Sequence, residues 1–174
     1  MSIRNLSLGV VLADQISKYL VLKHFHMNDS VTLIQDYLYL TYIQNPGAAF
    51  GFMAESPVTL RVPFFIAITV GAGLIVYAYQ RFVPLDKKWM RAALGLIWGG
   101  AMGNFVDRVI HGKVVDFIDV THIHFLPIIN IGSFHLGPNF PWIFNLADSC
   151  ITVGIVLLLF SHFFEKTHPV PGSY

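Results

Sequence analysis

Hydrophobic and polar positions along the chain fall into long apolar runs separated by shorter alternating or interrupted stretches. Ile3 to Leu22 is about 20 residues, hence about 30 Å of helix, enough to cross a bilayer. Asp14, Gln15 and Lys18 interrupt this run and no small-residue cleavage site follows, which favours a retained first helix over a cleaved leader. Val31 to Gln44 alternates instead: Tyr37, Tyr39, Thr41 and Ile43 fall on one side, Leu38, Leu40 and Tyr42 on the other. That period, in β-branched and aromatic residues, predicts a strand half buried at the membrane interface. Asn45 to Gly51 (NPGAAFG) then reads as a turn followed by small residues that admit another backbone. Further spans are expected over Val58 to Tyr79, Ala92 to Ile110 and Phe144 to Phe164. From Thr121 to Trp142, Pro127, Pro138 and Pro141 break up short Ile and Phe runs, which suits interfacial strands or a re-entrant cap.

Composition supports the membrane reading. Hydrophobic residues make up 55% of the 174 and charged residues 12%, against about a quarter charged in an average soluble domain. A single soluble core of this size could not bury so much apolar surface. Arg81, Lys87, Lys88 and Arg91 form the densest basic cluster, so the loop between helices two and three is placed in the cytoplasm. Both termini then fall inside, and the helices run outward, inward, outward and inward. The expected fold is a mainly α polytopic membrane protein with four transmembrane helices and a small extramembrane β-sheet and cap on the outer side. Residues 1–166 form its single membrane-embedded domain, and 167–174 a disordered cytoplasmic tail. The net charge of +1 gives no clustered basic surface for nucleic acid. One cysteine, Cys150, allows neither an internal disulfide nor a cysteine-cage zinc site.

The candidate chemistry lies at polar residues inside or just beyond the spans. Asp14 and Lys18, four apart, share a helix face and can offset each other's burial. Gly95, Gly99 and Gly103 recur every fourth residue, a stripe for close helix packing. Gly100, Asn104 and Arg108 form a second row; Arg108 is read either as held by Asp107 or Asp14, or as a substrate contact. His122 and His124 would share a strand face, but no HExxH or third ligand accompanies them, so no metal or other cofactor is expected. Asp116 lies just past the outer end of helix three, and Asp148 lies one turn into helix four, which starts on that side. They are 148 − 116 = 32 residues apart in sequence, yet topology brings them to one depth. Two carboxylates in a poorly solvated site tend to share a proton, so one can activate water while the other hydrogen-bonds a scissile carbonyl. Nucleophilic catalysis has less support: Cys150 has no histidine nearby in sequence and there is no GxSxG. A small transporter or channel lined by Asp14, Asn104, Arg108 and Asp148 is the main alternative, although nothing marks inverted repeats. A structural subunit would explain the glycine stripe but not the paired aspartates.

DQxxK at Asp14 to Lys18, NPGAAFG at Asn45 to Gly51, GNxxDR at Gly103 to Arg108, GxVVDF at Gly112 to Phe117 and FNxADxxI at Phe144 to Ile151 together resemble the bacterial lipoprotein signal peptidases, signal peptidase II. The resemblance implies a four-helix aspartic endopeptidase of the bacterial inner membrane that cuts prolipoproteins before a cysteine carrying diacylglycerol. Asp116 and Asp148 match the family's catalytic pair. Asn45, Asn104, Arg108 and Asn145 match polar residues lining its site, and Asp14 and Lys18 a supporting cluster. The implied partners are lipidated prolipoproteins and membrane lipids, with the enzyme working as a monomer. Thr121 to Trp142 departs from the family's linker in its length and its Phe and His content.

Overall fold

The structure, a computed structural model, describes residues 2–47, 52–53, 55–121, 129–131, 134–136 and 143–165. Four helices, α1 (Ile3–His24), α2 (Val58–Tyr79), α3 (Lys88–His111) and α4 (Leu146–Glu165), carry a sheet of short antiparallel strands. Of these, α2 is long and apolar enough by itself to cross a membrane. The apolar stretch described in α4, Leu146–Ser161, is shorter, and α1 and α3 carry ionisable residues of a shared polar core, which lowers their apolarity. On α1 the buried stripe is Ile3, Ser7, Val10, Asp14, Lys18 and Val21, while Leu8, Leu12, Ile16 and Tyr19 are exposed. Polar groups inside and large apolar groups outside reverse the pattern of a water-soluble helix. The exposed Ile68, Leu74 and Ile75 of α2 and Val153, Val156 and Leu159 of α4 continue the apolar exterior.

The glycine rows behave as their spacing predicts. A Cβ on Gly95 would meet Leu6, one on Gly99 would meet Val10 and the Ser7 backbone, and one on Gly103 would come within 2.5 Å of Asp14 Oδ2. This row therefore seats α3 on α1. Gly100 faces the Ala147 carbonyl and Ile151, and from the other side Gly154 faces the Ala93 carbonyl, so a second row seats α3 on α4. Close backbone approach is what brings short side chains such as Asp and Asn within reach across helices.

The stretch predicted as one strand is a hairpin. β1 (Ser30–Ile34) pairs antiparallel with β2 (Leu38–Asn45) through a turn in which Asp36 takes φ 65°. Asp tolerates this left-handed conformation better than most residues, so the alternation holds through β2 and breaks at the turn. β2 pairs with β3 (Val114–Asp119), and β3 with β6 (Ile143–Phe144), giving the order β1-β2-β3-β6. Within the Thr121 to Trp142 stretch, β4 (Ile129–Ile131) and β5 (Phe134–Leu136) pair as a short hairpin. His122, His124 and the tail after 166 lie outside the described residues. At its end α3 is closed by Gly112 at φ 68°, whose N–H returns to the Arg108 carbonyl; glycine is favoured there because the left-handed backbone crowds a Cβ. The chain leaves that cap directly into β3. On β3, Val115 and Phe117 pack against Val21 and Tyr42, and alternation turns Asp116 to the opposite face.

Candidate active site

Asp116 is 1% exposed and has Ile43 as its cross-strand partner, so Asn45, two residues further along β2, lies diagonally beside it on the same face. Asn45 Nδ2 donates to Asp116 Oδ2 at 3.0 Å, and Asn45 Oδ1 accepts the Gly47 N–H at 3.0 Å. The turn role and the site role of Asn45 are thus one arrangement. Asn145 precedes the first turn of α4: its Oδ1 accepts the Asp148 N–H at 2.9 Å, while Asp148 Oδ2 accepts the Asn145 N–H at 3.3 Å. This reciprocal cap satisfies backbone groups that a helix start leaves unpaired. It also places Asp148 in that first turn, earlier in the helix than its sequence position suggested, because Phe144 belongs to β6. Asn145 Nδ2 then reaches Asp116 Oδ1 at 2.6 Å. Asn104 on α3 donates to Asp148 Oδ1 at 2.8 Å, and its own Oδ1 accepts from Asn145 Nδ2 at 3.1 Å. Asp116 and Asp148 are held by amides, and among the described residues neither forms an ion pair.

Burial, and after it the neighbouring Asp148 charge, push the Asp116 carboxyl up to about 7 against the opposing pull of Asn45, Asn145 and Lys18. At neutral pH this carboxyl is near the midpoint of its titration, so the site can hold a proton in reserve.

Behind the pair sits a second polar group. Lys18 Nζ lies 2.9 Å from Asp14 Oδ2, 3.0 Å from Asp107 Oδ2 and 3.1 Å from Asn104 Oδ1. Asp14 Oδ1 accepts the Ala147 N–H at 3.0 Å, capping α4 from another helix, and Asp107 Oδ2 accepts the Val115 N–H at 2.9 Å, fastening β3. The sequence offers Asp107 as one of the possible partners of Arg108; the structure pairs it with Lys18, because consecutive helix residues point about 100° apart. Gln15 was passed over. Its Nε2 reaches Asp14 Oδ2, the Gly103 carbonyl and Asp107 Oδ1 at 3.2, 3.1 and 3.0 Å, and its place beside Asp14 in an otherwise apolar run was the available signal.

Arg108 forms no ion pair with Asp107 or Asp14. Its guanidinium donates to the Gly47 carbonyl at 2.9 Å and to the Asn104 carbonyl at 3.3 Å, lies 4.3 Å over the Phe65 ring, and keeps an Nε with no hydrogen-bond partner among the described residues. Among the described residues no group of three or more His, Cys, Asp or Glu could hold a metal ion.

A statistical model of the family described as Signal peptidase (SPase) II matches residues 6–164. The chain belongs to the signal peptidase II family. Its relatives include a lipoprotein signal peptidase of Moorella thermoacetica, 37% identical over 153 residues and covering 88% of this chain and 87% of the relative. A lipoprotein signal peptidase of Photorhabdus laumondii is 43% identical over 162 residues, with 91% and 87% covered. Its fold is similar to a solved structure described as "Bacterial membrane enzyme structure by the in meso method at 2.3 A resolution", with TM-score 0.74 and 32% identity over 99% of this chain and 93% of that one. By family and fold it is a membrane protein and a peptidase.

Proposed function

We propose that this signal peptidase II family member removes signal peptides from diacylglyceryl-modified prolipoproteins, cutting before the lipidated cysteine, and that it does so as an aspartic endopeptidase within the membrane. The observation that carries this reading is Asn145: its side chain donates to the Asp116 carboxylate and its backbone N–H to the Asp148 carboxylate, gathering both around a single residue. In this mechanism Asp116 keeps the proton and Asp148, at the positive end of the α4 dipole, is the base. Asp148 takes a proton from water as the water oxygen bonds to the scissile carbonyl carbon, and Asp116 donates to the carbonyl oxygen. Collapse of the tetrahedral intermediate breaks the C–N bond, the proton held on Asp148 goes to the leaving amine, and a hydroxyl of the intermediate returns its proton to Asp116 as the carbonyl re-forms. No covalent enzyme intermediate forms.

All four helices cross the membrane in this reading, with the termini and the 81–91 loop in the cytoplasm, the sheet and the two aspartates at the outer face, and the enzyme active as a monomer. Their exposed apolar faces support it. Arg108 binds a substrate carbonyl, supported by its uncommitted Nε. Asp14 and Lys18 hold the site together. A transporter reading has no comparable observation in its favour.

The test is cleavage by purified protein in detergent. A diacylglyceryl-modified prolipoprotein should be cut before the modified cysteine and its unmodified form left intact. Equal cutting of both, or cutting elsewhere, overturns the substrate assignment. In a Cys150→Ser background, cysteine at Thr32 should react with an impermeant thiol reagent in intact cells and cysteine at Asp86 should resist it; the opposite pattern reverses the topology.

A further inference from the structure

Three asparagines meet the two aspartates, and an amide can turn either face to a carboxylate. Its NH2 is a donor and favours the anion; its oxygen is an acceptor and repels it. What decides the face is the donor on the amide oxygen. For Asn45 that donor is the Gly47 N–H and for Asn145 the Asp148 N–H, both backbone groups within two or three residues. These two amides are oriented by their own turns.

Asn104 is in the body of α3 and has no such local donor. Its Oδ1 accepts from Asn145 Nδ2 and, across the α1–α3 interface, from Lys18 Nζ at 3.1 Å. Lys18 is 2% exposed. An ammonium has three N–H groups, and here one goes to Asp14, one to Asp107 and the third to Asn104. Pairing with the two carboxylates uses only the first two.

Resting on the aspartic reading above, we propose that Lys18 is a positioning residue for the peptidase reaction, its third N–H locking the Asn104 amide so that Nδ2 faces Asp148. With Asn145 Nδ2 as its one remaining donor the amide can turn over and set oxygen against oxygen, so that less of Asp148 is present as the anion the reaction needs. Lys18 is faced by Asp14 on its own helix and by Asp107 on α3; beyond them lie Arg108 on α3, Asp116 on β3, Asp148 on α4 and, flanking Arg108, Arg61 on α2. The field of the cluster must therefore be separated from its hydrogen bond.

Formal charges make that separation possible. Asp14, Asp107 and Lys18 sum to −1 − 1 + 1 = −1, and an Asp14→Asn/Lys18→Met double variant leaves Asp107 alone, again −1. The formal charge of the cluster is kept while the donor to Asn104 is lost. Lys18→Met alone would strand two buried carboxylates, so the double variant is the informative one, and Lys18→Arg supplies the rescue.

The measurement is the pH dependence of kcat and KM on a lipidated prolipoprotein, with melting temperature on the same samples and Asp148→Asn as reference. The double variant leaves Asp107 without its cation and should melt well below wild type, so rates are taken at a temperature where it is fully folded; there KM should stay within about twofold and kcat fall about tenfold, with the acid limb moved up by about one pH unit. Lys18→Arg should recover most of the rate and return the limb. A folded double variant with wild-type kcat and limb overturns the proposal, as does a loss of rate that follows melting with the limb unmoved. Full activity in Asp148→Asn overturns the dyad itself, and the role assigned to Lys18 falls with it.

Discussion

Two pairs of aspartates share one buried polar core and are held by different partners. Asp14 and Asp107 meet an ammonium, at 2.9 and 3.0 Å from Lys18, and each accepts a backbone N–H that fastens a different element, α4 and β3. Asp116 and Asp148 meet amides, from Asn45, Asn104 and Asn145. A buried carboxylate that pairs with a cation and accepts a backbone N–H ties elements of the fold together, and its loss is felt there. Amides stabilise charge without supplying an opposite one, so Asp116, held by them, can still exchange a proton near neutral pH. Residue type alone does not distinguish the two pairs; the partner does.

The difference is broken most completely at the amide-held pair. Asp116→Asn and Asp148→Asn should each reduce cleavage by roughly 10³-fold or more with melting temperature near wild type, and the double variant should be little worse than either single, since the two act as a unit. Substantial turnover by either single variant takes that residue out of the reaction. At the ion-paired cluster the effect should reverse. Asp14→Ala removes a partner of Lys18 and the cap on Ala147, so it should destabilise by about 3–5 kcal/mol, with activity falling only as the folded fraction falls. A normal melting temperature with lost activity would contradict the contrast.

Proton exchange at Asp116 sharpens it further. Its carboxyl stands at about 7 in the folded protein, above the ordinary value of about 3.9. The folded chain therefore binds a proton that the unfolded chain has released between those values. The stability this gives is complete below about pH 4 and is lost as pH rises through 7, on the order of a few kcal/mol in all. Melting curves of wild type should show that decline and those of Asp116→Asn should lack it; kcat/KM should fall above about pH 7 for the same reason. Parallel melting profiles in the two proteins would place the proton elsewhere. The smallest effect is expected at Arg108, which touches neither pair as a counter-ion. Arg108→Lys keeps the charge and loses the planar donor fork, so KM should rise roughly tenfold with little change in melting temperature. A variant that melts early and keeps wild-type kinetics at low temperature removes Arg108 from substrate binding.

Much of this was legible because spacing survives folding. The i, i+4 rows of Gly95, Gly99 and Gly103 and of Gly100 and Asn104 face α1 and α4 as a helix requires, and α2 keeps the bounds its apolar run set. The hairpin at Asp36 was read through because alternation continues on both sides of a turn made without proline or glycine. The start of α3 lies at Lys88 rather than Ala92, since Lys and Arg favour helix as well as the apolar residues that follow do.

The sequence by itself determined the existence of the helices, the glycine-lined interfaces and the meeting of Asp116 and Asp148, because these follow from local periodicity and from the ends of the helices that carry or precede them. Only the tertiary structure decided which carboxylates are paired with a cation and which with amides. That choice depends on the rotation of α1 against α3 and on the diagonal between β2 and β3, which set Lys18 beside Asp107 and Asn45 beside Asp116. A hydrogen bond is made or lost within a few tenths of an ångström, and positions along a chain do not fix distances across it to that precision.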